Sequence, residues 1–124
     1  MVQITTKNNT LILEVEGLDK LWTLKSRLEI PLAHINGVRA DTKNIREWWR
    51  GVKVSGARIP GVIKAGTFYQ NGQRIFWDIQ HPENGIVIEL TDERYKELII
   101  EVDNPDRAIA QIQAATEYQR NKAK

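Results

Sequence analysis

The sequence predicts a mainly β domain, a bent antiparallel sheet or barrel of about seven strands capped by one C-terminal α-helix. Three observations carry that prediction. Asn-Gly recurs at Asn36-Gly37, Asn71-Gly72 and Asn84-Gly85, and this dipeptide accepts the positive φ angles of tight turns. Short runs of alternating apolar and polar residues lie between such turn signals. Near the C-terminus the apolar spacing changes to three and four over a longer run. With 124 residues, 41% hydrophobic and 27% charged, the chain has the length and composition of a single globular domain. The domain is predicted over 1–118, with a polar tail at 119–124.

From the N-terminus, Val2-Gln3-Ile4-Thr5-Thr6 and Leu11-Ile12-Leu13-Glu14-Val15-Glu16 flank the turn residues Asn8-Asn9 and predict a hairpin. Leu18 to Trp22 has short helical spacing, and Arg27 to Leu32 returns to alternation. Pro31 marks a strand end or an edge, since proline cannot donate to a ladder. Ala33 to Ala40 continues this strand beyond a bend, with Asn36-Gly37 as a turn or a bulge. Asn71-Gly72 then pairs the run Ile63 to Tyr69 with Arg74 to Ile79. Breaks at His81 to Gly85 and at Thr91 to Arg94 set off Ile86 to Leu90 and Tyr95 to Val102, which predicts a four-strand meander. In its last two strands Ile86, Ile88, Leu90, Leu98, Ile100 and Val102 face a core, while Glu89, Glu97 and Glu101 face water. Asn104-Pro105-Asp106 supplies a capping side chain, a proline at the first helical position and an acid facing the helix dipole. Ala108, Ile109, Ile112 and Ala115 give the helix one narrow apolar stripe.

Composition excludes several classes of function. The longest apolar runs, such as Leu98-Ile99-Ile100, are far short of the roughly 20 residues that span a bilayer. Met1 to Lys7 lacks the basic and apolar regions of a secretory leader, which places the protein in the cytoplasm. The absence of cysteine removes disulfides, thiolate metal sites and cysteine nucleophiles. Charge is unevenly spread. Arg39 to Arg74 holds eight basic residues against Asp41 and Glu47, a net of +6, whereas Phe76 to Asp106 holds nine acids against Arg94 and Lys96, a net of -7. Such a molecule either steers anionic partners to one side or docks on its own copies, unless two solvated faces merely differ.

The segment Arg58-Ile59-Pro60-Gly61-Val62-Ile63-Lys64-Ala65-Gly66-Thr67-Phe68, with Ile86 to Leu90 and Leu98 to Pro105, resembles the bacterial pleckstrin-homology (PH)-like domain families of unknown function. Glu29-Ile30-Pro31-Leu32-Ala33-His34-Ile35 is similar to their upstream strand. The resemblance implies a PH-like sheet capped by a helix and an adaptor or scaffold role, with self-association among its forms and no catalytic residues to carry over. Phosphoinositide-binding PH domains use a basic cluster in the first hairpin loop. Here that loop is Lys7-Asn8-Asn9, and one lysine makes no such pocket.

The candidate partner surface is the long connection Asp41 to Gly61, with Lys43, Arg46, Trp48, Trp49, Arg50, Lys53 and Arg58. Adjacent tryptophans cannot both face one core from a strand, and in a helix they diverge by about 100°. Two readings stand: a partner site, or a lid in which Ile45, Trp48 and Trp49 cover the core while Arg46 and Arg50 face water. No nucleic-acid motif accompanies the tryptophans, and nucleic acid is not the expected partner. His34 and His81 have no metal-ligand spacing. Ser26 and Ser55 lie in no nucleophile elbow. Asp78 is expected to face solvent or pair with an arginine. The sequence thus predicts a non-enzymatic module, without cofactor or metal, that binds protein or itself. Peripheral binding to anionic membrane through 39–64 is the first alternative, and a small ligand in an unannounced pocket the second.

Overall fold

Asn8 and Asn9 take φ of 51° and 63°, the left-handed pair that closes a two-residue hairpin. In this computed structural model the described residues are 2–15, 27–41, 43–45, 64–70, 72–79 and 81–122. The predicted helical spacing at 18–22 lies outside them. The first hairpin joins β1 (Val2–Lys7) to β2 (Thr10–Val15) with Lys7 opposite Thr10. β3 (Arg27–Pro31) pairs antiparallel on the other side of β2. The chain turns through a 3-10 segment, Leu32–His34, into β4 (Ile35–Arg39), which belongs to a second sheet. β3 and β4 are thus the bent strand expected around Pro31, and the register shift between Ile35 and Gly37 is the bulge alternative at Asn36-Gly37.

The second sheet adds β5 (Lys64–Gln70), β6 (Gln73–Ile79), β7 (Gly85–Leu90) and β8 (Glu97–Glu101). Among the described residues, counting β3 and β4 as one bent strand gives seven strands. The order is β1-β2-β3 in one sheet and β4-β7-β8-β6-β5 in the other. The predicted meander is corrected here, because β8 lies between β7 and β6 and runs parallel to β6, with Ile75 opposite Glu97 and Asp78 opposite Ile100. Turn residues dictate each hairpin but not which edge of one hairpin meets the other. Leu98, Ile99 and Ile100 are all buried, as a central strand covered on both faces requires.

Two hydrophobic clusters follow. The larger joins Leu11, Leu13 and Ile30 of the first sheet with Phe76, Ile86, Ile88, Leu98 and Ile100 of the second, and with Ala108 and Ile112. The smaller lies on the second sheet's other face and contains Ile45, Ile75, Trp77, Ile79, Val87 and Ile99. That face is wet only in part: the Glu89 and Glu97 side chains are 43% and 24% exposed as expected, but the rest is covered. Trp77 is fully buried and Glu101 is 2% exposed, while Asp78, at 1%, lies inside rather than at the solvent face. β6 is buried at every position from Ile75 to Ile79, so alternation could not reveal which face was wet.

α1 (Pro105–Lys122) covers the larger cluster. Its start matches the sequence signals: Asn104 Oδ1 accepts the Arg107 backbone N–H at 3.1 Å, and Asn104 O accepts that of Ala108 at 2.9 Å. Ala108 and Ile112 are buried, with Ile109 and Ala115 partly so. The helix runs to Lys122, so the polar stretch after 118 is helical to that point. Among the described residues no helix is long and apolar enough to cross a membrane.

Candidate interaction surface

Of the predicted partner residues only Lys43 is described; Arg46, Trp48, Trp49, Arg50, Lys53 and Arg58 lie outside the described residues. Residues 43–45 form one helical turn in which Ile45 N donates to Asp41 O at 2.9 Å and Asn44 Nδ2 to Asp41 Oδ2 at 2.8 Å. Ile45, 2% exposed, plugs the smaller cluster while Lys43 and Asn44 face solvent. The choice between lid and partner site turns on Trp48 and Trp49, which lie outside the described residues. The Asn44 amide, and after it Arg39, hold the Asp41 carboxyl below its ordinary value against a smaller opposing effect of burial.

The basic region is less open than its charge count suggests. Arg39 bonds Glu89 and lies 3.4 Å from Asp41 and 3.5 Å from Glu97. Burial acts to lower its pKa, but Glu89, Asp41 and Glu97 outweigh that and raise it. An arginine engaged by three acids is a poor anchor for an anionic surface. The two histidines each meet one acid. His34 Nδ1 lies 2.5 Å from Glu93 Oε2, beside the contact of the Asn36 amide with the Thr91 hydroxyl. At His81 both the backbone N–H and Nδ1 approach the buried Glu101 carboxylate, at 2.7 and 3.0 Å. His81 stands in the turn before β7, and its side chain is 55% exposed. Its carboxylate partner was missed because Glu101 alternates with apolar residues as a solvent-facing acid would. Among the described residues no three potential ligands gather as a metal site.

The most distinctive surface is the outer edge of β1. In a two-residue hairpin the residues flanking the turn exchange both backbone hydrogen bonds, and such pairs alternate along the ladder. Lys7 with Thr10, Thr5 with Ile12 and Gln3 with Glu14 are therefore the bonded pairs. The N–H and C=O of Val2, Ile4 and Thr6 point away from β2. Among the described residues no strand pairs on that side, and no backbone bond reaches those three residues. From Val2 to Thr6 the strand has no charge, proline, glycine or register shift, the devices that ordinarily blunt an edge. Beside it lies a groove of about 360 Å³, lined by Val2, Gln3 and Ile4 on one side and by Val102 and the Asp103 to Gln111 region on the other. The sequence marked β1 only as a strand; its place at an edge follows from sheet order, which no local pattern encodes.

No protein-family model, no curated protein and no solved structure matches this chain.

Proposed function

We propose that this chain is a non-enzymatic, PH-like interaction module that binds protein through the outer edge of its N-terminal sheet, unpaired among the described residues. The observation that carries the reading is the pair of partly accessible outward backbone groups at Ile4 and Thr6 beside an open groove, since an edge in this state takes up an extended chain by adding a strand. Two sheets and a C-terminal helix over the core support the PH-like description; β8 inserted between β6 and β7 departs from a simple succession of strands. Membrane binding through 39–64 is the weaker reading, because Arg39 is held by Glu89, Asp41 and Glu97.

The test compares pull-downs by the wild type, by Ile4→Pro and by the triple variant Trp48→Ala, Trp49→Ala, Arg50→Ala. Proline at Ile4 deletes an outward donor while leaving the β1–β2 bonds intact, a substitution that edge strands tolerate. Capture lost in Ile4→Pro at a retained melting temperature supports the edge. Capture lost only in the triple variant moves the site to 41–61. Binding solely to anionic vesicles at low salt refutes protein recognition.

A further inference from the structure

The groove has a chemistry of its own beyond its open backbone edge. Val2 is buried and Ile4 half-buried, and with Val102 and Ala108 they give the floor an apolar notch. The opposite wall is polar and exposed. Arg107 stands on the first turn of α1 with its backbone N–H bonded to Asn104, while its guanidinium has no ion-pair or hydrogen-bond partner among the described residues. Gln111, one turn further along, also lines the groove. A groove walled on the far side by a helix admits a single extended chain more readily than the edge of a second sheet, whose neighbouring strands would meet α1.

We propose that the occupant is a single extended segment of a partner protein, added as a strand to β1, with an apolar side chain in the notch and a carboxylate reaching Arg107. This deepens the protein-binding reading and rests on it. The backbone groups of Ile4 and Thr6 supply affinity without sequence preference. Residue preference comes from the notch and from Arg107, whose five N–H donors suit a carboxylate. Asp103, also at the groove, opposes an acidic segment at its own end, so the preference for acid is local to the Arg107 side.

The test uses two blocked hexapeptides, acetyl-Thr-Val-Thr-Glu-Thr-Val-amide, whose valines and glutamate share one face of a strand, and the same peptide with lysine in place of glutamate, titrated into the 15N-labelled full chain. Either peptide is expected to shift the amide signals of Val2, Ile4 and Thr6 and to slow their hydrogen exchange. The glutamate peptide is expected to bind roughly two- to fivefold more tightly, the size of an exposed ion pair. Arg107→Glu, an exposed position that leaves the fold unchanged, is expected to reverse that order.

Edge signals that move without charge preference refute the carboxylate assignment and leave the protein-binding reading standing. A lysine peptide that binds more tightly shows that Asp103 dominates and refutes it too. Protection of the same amides that rises with protein concentration alone identifies a second copy as the occupant and overturns the proposal. No response at the edge with either peptide overturns both the occupant and the edge reading.

Discussion

Gly85 opens β7 directly beneath the Ile45 anchor, and its replacement by alanine tests how tightly that anchor is packed. A Cβ built there would lie 2.8 Å from Ile79 Cδ1, 3.0 Å from Ile45 Cδ1 and 3.2 Å from Pro82 O. The backbone itself accepts alanine, since Gly85 has φ of -87° and ψ of 146°. Two effects therefore oppose each other. Restricting the unfolded chain stabilises by about 0.4–1 kcal/mol where the native angles suit alanine. Overpacking a filled site costs about 1–3 kcal/mol. The two isoleucine methyls can swing away, but the Pro82 carbonyl is backbone and yields less. The net expectation for Gly85→Ala is a loss of roughly 1–2 kcal/mol, or about 4–8 °C in Tm for a chain of this size. Denaturant and thermal unfolding followed by circular dichroism measure it. A double-mutant cycle with Ile79→Val, which removes the nearest methyl, is expected to recover more than about 0.5 kcal/mol of coupling. A neutral or stabilising Gly85→Ala, or a cycle without coupling, refutes the packing argument.

Glu101→Ala strands the His81 backbone N–H that the buried carboxylate accepts; a loss of about 1–3 kcal/mol in denaturant titration is expected, with little change if that bond is immaterial. For Asp41 the folded carboxyl is held below its ordinary value by Asn44 and Arg39, so its contribution is present above the ordinary carboxylate range and is lost as pH falls through the lowered value. Asp41→Asn is expected to remove that acid-dependent component, and an Asn44 side-chain amide signal that titrates at or above the model-peptide value of 3.8 contradicts the assignment. Arg39→Ala is expected to cost less than about 1 kcal/mol, because the side chain is 43% exposed, and the cost is expected to shrink as salt rises; a salt-independent loss points to packing of its stem instead.

What was legible in the sequence was what short-range chemistry decides. Asn8-Asn9 and Asn104-Pro105 each specify a local backbone geometry, and the hairpin and the helix start lie where those residues put them. Pro31 likewise ended its strand and let the chain change sheets. Sheet order was illegible, because the parallel seam between β6 and β8 is made by apolar side chains that would serve equally well against another neighbour. The misplacement of Glu101 follows from the same cause. An acid among alternating apolar residues reads as a marker of the wet face, and only the docking of Ile45 on that face and the bond from His81 to Glu101 show it to be covered. Of the candidate site, the sequence pointed to Lys43 and the tryptophans by composition. It gave no sign of the β1 edge, whose character is an absence of blunting residues at a place only topology reveals.

That plain edge raises the question of why it would not join the edge of another copy. Among the described residues the other edges carry obstacles: β3 ends in Pro31, β4 is bulged and bears Arg39, and β5 contains Lys64 and Gly66. On β1 the obstacle is the neighbouring helix, since Arg107 and Gln111 line the same groove as Val2 and Ile4. If that wall excludes a second sheet, truncating it as Arg107→Ala with Gln111→Ala lowers the barrier to β1–β1 pairing while leaving the buried Ala108 and Ile112 in place. The expected outcome is self-association that rises with concentration in sedimentation velocity, with new exchange protection at Ile4 and Thr6. An unchanged sedimentation coefficient across the concentration range shows that α1 is not what keeps the edge single, and the preference for a lone extended segment then loses its structural basis.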